Sequence, residues 1–530
     1  MAKRIKYPIG IQTFRKIREE GYIYIDKTAL VHKLVKEYSY VFLSRPRRFG
    51  KSLLVSTLQA YFEGRRELFA GLEMEKLEEK WTKYPVLRFD LSGKNYTKPE
   101  NVHNKIDAYL TRMELIYDPI PAKEIGDRFY NLIYAAYQKT GQRVVILIDE
   151  YDKPMLDTMH DAPMLESIKG ELRGFYSVLK ECDEFIKFVM ITGVSKFGKV
   201  SVFSGLNNLK DISMRSDYND ICGITEQEFL ANFEPSLTQF AEHHKITEDE
   251  AAAQFKSYYD GYHFSTNGTD IYNPFSTLNA FEDNELGAYW FESGSPTYLI
   301  RLLMRNHFLL QDLEGVERNE SALGNIAAPG EDIVPLLYQS GYLTIKGYDK
   351  NSMMYKLGMP NREVTKAFWN SLGDFFFYSG RNTTEFNLNK FVLELENGDI
   401  ESFMLRLRSM FASISNENES DKEVHFQNMI TILVKMLGYS VRTEVHSSQG
   451  RSDIEIETPR YIYIFELKVN STSDAALEQI RDKGYARQYE IDPREKILVG
   501  ANFSPESRTF TGWTVERLYE SAQASRRGSM

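Results

Sequence analysis

The sequence predicts an α/β protein: a parallel sheet with helices on both faces, then a helical and winged region, then a smaller α/β unit. Three observations predict it. Apolar strand-like runs alternate with helix-period segments over the first 220 residues; the text turns helical and aromatic from about 225 to 300; and two alternating strands stand near the C-terminus between helical stretches.

The elements read in order as follows. "YVFLSRP" (40–46) is a strand running into a loop, and "KSLLVSTLQAYFEG" (51–64) is a helix ending at glycine. "YPVLRFDLSG" (84–93) is a strand; "NKIDAYLTRMELIY" (104–117) and "EIGDRFYNLIYAAYQKTG" (124–141) are helices. "RVVILIDEYD" (143–152) is an apolar strand ending in acids, followed by a helix (164–182) and a second apolar strand, "FIKFVMITGVS" (185–195). Strands apolar on both faces belong to parallel sheets buried between helices. Around 333–372 the order is helix, strand, turn, strand, helix, that of a winged-helix module. A small packing domain reads equally well there, because the segment is not strongly basic. Residues 376–420 are polar and helical, and from 421 a helix, a hairpin, a helix and a strand follow. The expected domains are 1–225, 226–300, 301–375, 376–420 and 421–525.

A chain of 530 residues is too long for one core and implies roughly two to four domains. Hydrophobic residues at 42% and charged residues at 26% exclude wholesale disorder. A net charge of −10 excludes a polycation drawn to nucleic acid over its whole surface, so any such contact is local. Two cysteines, Cys182 and Cys222, without a CxxC, exclude a disulfide scaffold and a cysteine zinc site. No apolar run approaches the roughly 18–20 residues of a membrane span, and no apolar segment follows the basic N-terminus. The expectation is a cytoplasmic protein with no signal peptide and no membrane partner.

The stretch "SRPRRFGKS" (44–52) ends like a phosphate-binding loop, although G-x-x-x-x-G-K-[ST] asks for glycine where this chain has Arg45. Its setting between a strand and a helix suits the chemistry, since backbone N–H groups and a helix N-terminus surround an anion there. Gly50 lets the backbone approach, Lys51 reaches the β- and γ-phosphates, and the Ser52 hydroxyl binds Mg²⁺. Arg47, Arg48, Phe49 and Leu53 complete the expected ATP-binding stretch, with Arg45, Arg47 and Arg48 adding positive potential. A near copy, "FGKVS" (197–201), lacks the spacing and reads as a loop. Asp149, at the tip of the neighbouring strand, is expected to hold Mg²⁺ through water, and Glu150 to polarise the attacking water. A third strand ends in Thr192 and Ser195, polar groups suited to sensing the γ-phosphate.

These stretches, with "YPIGIQTFRKIREEGYIYIDKTAL", "ITGVSKFGKVSVFSGLNNLKDIS" and "YDGYHFS…YNPFSTLNAF", resemble the AAA-ATPase-like family, whose phosphate loop typically reads RPRRFGKS. Arg45 thus departs from the general pattern and not from the family's. The resemblance implies ATP and Mg²⁺ and allows a homo-oligomer in which a neighbouring copy supplies a cation. It does not choose among Lys196, Lys199 and Arg215 for that role. "ESGSPTYL" (292–299) is similar to the Gly/Pro nucleotide-sensing motif of STAND-type switch ATPases; a helix-start loop reads equally well.

Near the C-terminus, "GRSDIEIETPRYIYIFELKVN" (450–470) holds two period-two strands around Thr458-Pro459-Arg460. Alternation puts Ile462, Ile464, Glu466 and Lys468 on one face and Tyr461, Tyr463, Phe465 and Leu467 on the other. The turn brings Asp453 opposite Glu466, 13 residues later. Two carboxylates suit a hard cation such as Mg²⁺, or Mn²⁺, and Lys468 can orient a water that attacks a phosphodiester. Charges interrupting so apolar a strand would be costly if unpaired. The D…E-x-K arrangement resembles the PD-(D/E)XK nuclease superfamily, with Glu423, Glu444, Gln479 and Tyr485 as accessory positions.

The leading expectation is an ATPase coupled to a Mg²⁺-dependent nuclease with DNA or RNA as partner. A STAND-like nucleotide-controlled switch, whose nuclease fold binds nucleic acid or a partner without cutting, is the alternative. A nuclease timed by a slow ATPase is a third reading.

Overall fold

The structure, a computed structural model, describes residues 5–93, 96–98, 100–159, 161–292, 299–300, 302–303, 308, 310–324, 332–377, 384–412, 428, 431–433, 435–436, 440–447, 450–504, 506–507 and 509–518. The chain divides into two compact units, Met1–Ser295 with Glu314–Thr365, and Pro296–Leu313 with Lys366–Met530.

The first unit is built on β1 (Tyr40–Ser44), β2 (Val86–Asp90), β3 (Val144–Asp149), β4 (Ile186–Gly193) and β5 (Lys210–Asp211). They form one parallel sheet in the order β2-β3-β4-β1-β5. β1 and β3 are buried at every position, as apolar runs between two helical layers must be. Parallel neighbours need crossover connections, and helices such as Lys51–Phe62, Ile125–Thr140 and Ala162–Glu181 supply them. All strands point the same way, so their C-terminal ends line one edge. Register aligns Asp90 with Asp149, Ile148 with Ile191, and Leu43 with Thr192 on that edge. The N-terminal segment is tied to the helix after β1, where the Phe14 N–H donates to Ser56 Oγ at 2.9 Å.

Beyond the sheet, the helices Glu226–His244 and Glu248–Tyr259 each begin with a capping box, Thr225/Glu228 and Thr247/Glu250. With the helix Pro274–Asp283 they bury an aromatic core of Phe229, Phe233, Phe240, Phe255, Tyr272 and Phe281. β6 (Ile224–Thr225) pairs with β7 (Ile271–Tyr272) beside it. A further antiparallel sheet joins β8 (Glu317–Asn319), β9 (Thr344–Asp349) and β10 (Met354–Gly358) in the order β8-β10-β9. The helices Val334–Ser340 and Arg362–Phe377 flank β9 and β10 in sequence, which is the predicted helix-strand-strand-helix order.

The second unit centres on a mixed sheet of β11 (Ser440–Ser447), β12 (Gly450–Glu457), β13 (Tyr461–Val469), β14 (Glu495–Ser504) and β15 (Thr509–Leu518), in sequence order. β13 and β14 are parallel and the other pairs antiparallel. The helix Ser473–Asp482 makes the crossover between the parallel pair and covers one face, with Leu477 and Ile480 packed on Ile462, Ile464 and Leu498. The chain is therefore α/β, with one parallel sheet and one mixed C-terminal sheet. Among the described residues no helix is long and apolar enough to cross a membrane.

Candidate functional site

The described residues place the two centres expected from the sequence one in each unit. The first begins with the loop between β1 and the helix Lys51–Phe62. Arg48 (φ 67°) and Gly50 (φ 97°) take left-handed backbone there, the kind of turn that lets successive N–H groups converge on an anion. A Cβ built on Gly50 would meet no protein atom within 4 Å. The space against the loop is open, as a bound phosphate requires. Lys51 is buried, and its Nζ donates to the main-chain oxygens of Arg45 (2.9 Å) and Pro46 (3.0 Å). Burial holds its pKa below the usual lysine range, against the pull of Glu150, Asp149 and Asp152. Ser52 and Leu53 follow in the first helical turn, both half-buried.

The arginines and Phe49 of the loop are each seated against other residues. The Arg45 guanidinium is buried and donates to Ser44 O (3.0 Å), Ser213 O (2.6 Å), Tyr218 O (3.2 Å) and Asn219 O (3.3 Å), with Phe264 stacked 4.2 Å away. Arg45 is therefore a structural cation and not the phosphate-facing charge that the sequence suggested. Arg47 lies 5.0 Å over the Trp290 ring, and Arg48 lies 4.8 Å over Phe275. Phe49 is buried edge-on against Tyr262 (4.7 Å) and Phe264 (5.4 Å). The "YDGYHFS" and "YNPF" stretches thus provide aromatic seats for the arginine-rich loop.

Asp149 and Thr192 meet at the ends of β3 and β4, where Thr192 Oγ1 donates to Asp149 Oδ1 at 2.6 Å, both residues buried. Asp149 was expected on the strand next to β1. The sheet inserts β4 between them, so Thr192 lies between the phosphate loop and the acid. Glu150 follows in left-handed backbone (φ 54°). Burial raises its carboxyl to about 7, with Lys51 pulling it down and Asp149 and Asp152 pushing it up. Lys51, Asp149 and Glu150 therefore share one electrostatic neighbourhood, and its oxygen donors fit Mg²⁺.

Sequence reasoning missed Asp152. Its buried carboxylate accepts from Ser195 N (2.6 Å), Ser195 Oγ (2.7 Å) and Val194 N (3.2 Å), fixing the turn after β4. Ser195 is thereby tied to Asp152. A Cβ on Gly193 would fall 2.6 Å from Asp152 Oδ1. Asp152 lies three residues past Asp149 in "DEYD", the only signal the text carried. Lys196 and Lys199 both pair with Asp211, at 3.0 and 2.5 Å, and Arg215 pairs with Asp217 at 2.9 Å.

In the second unit, Ile454 pairs with Phe465, so the antiparallel ladder carries Asp453 and Glu466 to facing backbone positions. The side chains of Asp453 and Glu444 lie outside what the structure describes, as do Glu423 and residues 293–298 of "ESGSPTYL". Glu466 is buried, and its Oε1 accepts from Gln479 Nε2. Lys468 Nζ donates to Gln479 Oε1 at 2.5 Å and stands 3.6 Å from Glu466 Oε1. Gln479 Nε2 also reaches Tyr485 OH at 3.4 Å. Glu466 and Lys468 thus share a face, as alternation suggested, and Gln479 and Tyr485 of the following helical stretch converge on them. Glu455, two residues along from Asp453 and unmarked by the sequence reading, is buried and accepts from Tyr489 OH (2.5 Å) and Gln488 Nε2 (2.9 Å). A carboxylate aimed and backed by an amide suits a hard divalent cation.

A family model described as a predicted AAA-ATPase matches residues 8–203, and one described as the PD-(D/E)XK nuclease superfamily matches residues 421–513. A protein of Azotobacter chroococcum mcd 1, titled "Uncharacterized protein in vnfD 5'region", is 36% identical over 526 residues, covering 97% of this chain and 99% of that protein.

Proposed function

Since the chain belongs to the predicted AAA-ATPase family and carries toward its C-terminus a domain of the PD-(D/E)XK nuclease superfamily, we propose that it hydrolyses ATP and couples that cycle to metal-dependent cleavage of nucleic acid phosphodiesters. The observation that carries the reading is the shared neighbourhood of Lys51, Asp149 and Glu150 at the strand ends. The Glu466–Gln479–Lys468 cluster carries the nuclease half.

In this reading the backbone of Arg47 to Ser52 holds the phosphates, Lys51 neutralises the terminal ones, and Glu150 accepts a proton from the attacking water. Thr192 orients Asp149. Ser52 and Asp149 would hold one Mg²⁺, and Asp453 and Glu466 a second Mg²⁺ or Mn²⁺; the cation neutralises phosphate oxygens. Lys468, backed by Gln479, orients the water that attacks DNA or RNA. The proposed division is an ATPase core at 1–225, a helical lid at 226–300, a winged-helix-like domain at 301–375, a connector at 376–420 and the nuclease-like domain at 421–525. A cytoplasmic setting fits the two free, buried cysteines, Cys182 and Cys222.

The test is a cleavage assay on single- and double-stranded DNA and RNA with Mg²⁺ or Mn²⁺, with and without ATP, beside Asp453→Ala. Cutting that the variant loses supports the reading, and its ATP dependence reports the coupling. ATP binding without cutting under any condition moves the conclusion to a nucleotide-controlled switch. One observation favours that second reading: the phosphate loop is held by Trp290, a residue outside the sheet.

A further inference from the structure

We infer that Trp290 is a positioning residue for the phosphate loop, held in register by Glu363, and that it aims the Arg48 N–H at the bound phosphates. The inference rests on the ATPase reading and deepens it. Trp290 is fully buried, and its indole N–H donates to the main-chain oxygen of Arg47 at 3.0 Å. A trans peptide is planar, with its C=O and N–H pointing in opposite directions. Holding the Arg47 oxygen outward on the indole therefore turns the N–H of Arg48 the other way. Arg48 stands in left-handed backbone two residues before Gly50, where a phosphate loop needs its donors to converge. The preceding two carbonyls, of Arg45 and Pro46, are taken by Lys51.

Trp290 is fixed from behind. Its main-chain N–H donates to Glu363 Oε1 at 2.7 Å and to Ser276 Oγ at 3.2 Å, and Ser276 Oγ donates to the same Glu363 oxygen at 3.0 Å. Glu363 is itself buried. The ring packs edge-on against Tyr342 at 5.3 Å. A Cβ on Gly341 would lie 2.7 Å from Pro46 Cβ and 3.3 Å from Trp290 Cζ2, so loop and indole share one close-packed seat. The carboxylate sets the indole, the indole sets the Arg47–Arg48 peptide, and the peptide offers its N–H to the anion. This chain of contacts ends on the loop backbone that would face the phosphates, so the effect is on phosphate affinity.

The test is titration calorimetry of the full chain with Mg²⁺-ATP and with inorganic tripolyphosphate, together with the KM and kcat of ATP hydrolysis. Trp290→Phe keeps the ring and loses the donor. It is expected to weaken both ligands and raise KM roughly tenfold, with kcat within about twofold. Glu363→Leu is expected to act likewise. Glu363→Gln keeps an acceptor oxygen and is expected to restore affinity to within about twofold. A folded Trp290→Phe variant that binds tripolyphosphate like the unmodified chain overturns the inference. If Trp290→Phe does not fold, the Glu363 pair decides: equal affinity in the Leu and Gln variants overturns it. Absence of ATP and tripolyphosphate binding by the unmodified chain removes the ATPase reading and this inference together.

Discussion

Thr192 donates its hydroxyl hydrogen to Asp149 at 2.6 Å, from the end of β4 to the end of β3, and both residues are closed to solvent. A hydrogen bond to an ionised, buried acceptor contributes about 1.5–3 kcal/mol. Thr192→Val keeps the shape and removes the bond. Mg²⁺-dependent ATP hydrolysis is expected to fall at least tenfold, with metal-free nucleotide binding little changed. Steady-state rates beside calorimetry check this, and an unaltered rate would place the control of Asp149 elsewhere.

Lys51 and Glu150 are expected to separate binding from hydrolysis. Lys51→Ala removes the buried ammonium that bridges Arg45 O and Pro46 O, and ATP binding is expected to disappear while the second unit still melts cooperatively. Glu150→Gln keeps the volume and loses the base, so ATP should bind as before and turn over at least a hundredfold more slowly. Normal affinity in the first variant, or normal turnover in the second, contradicts these roles.

Glu363 makes stability depend on pH. Burial raises its carboxyl to about 7 from an ordinary 4.5. Between those values the folded chain keeps a proton that the unfolded chain has released, so this contribution is complete below about 4.5 and is lost as pH rises through about 7. Glu363→Gln removes the slope. The melting temperature of the unmodified chain, relative to that variant, is expected to drop by roughly 5 °C between pH 5 and pH 8. A constant difference across that range would show that the carboxyl ionises normally.

Gln479 bridges Glu466 and Lys468. Gln479→Leu leaves both charged groups without their shared amide, and metal-dependent cleavage is expected to fall 10–100-fold, about the usual effect of losing such a supporting contact. Asp453→Ala should abolish cleavage, with ATP hydrolysis intact in both variants. Cleavage that survives Asp453→Ala assigns the chemistry to another site.

Much of this architecture was legible because it is local. Periodicity found the strands and helices, and the short turn at Thr458–Arg460 let alternation alone place Asp453 across from Glu466. What escaped was non-local. Strand order depends on which strands pair, so nothing in "VVILIDEYD" showed that β4 would separate it from β1. Trp290 reaches Arg47 across 243 residues of chain, and Glu363 acts from further still. Asp152 looked like one more acid after Asp149 and Glu150, and only the fold brings it to Ser195. The loop arginines were read by charge alone, and aromatic seats drawn from 264 to 290 receive them.

The carbonyl cage around Arg45 reverses the usual advice of consensus design. Position 45 departs from the commonest phosphate-loop pattern, and a designer would restore glycine there. Four main-chain oxygens have arranged themselves around a guanidinium, and they come from β1, from the turn after β5 and from Tyr218-Asn219. Glycine would leave them facing one another with their shared guanidinium donor gone, and lysine could not reach all four with a single ammonium. The apparent flaw acts as the rivet that joins the loop to the sheet edge, and repairing it to the common pattern would loosen the nucleotide seat.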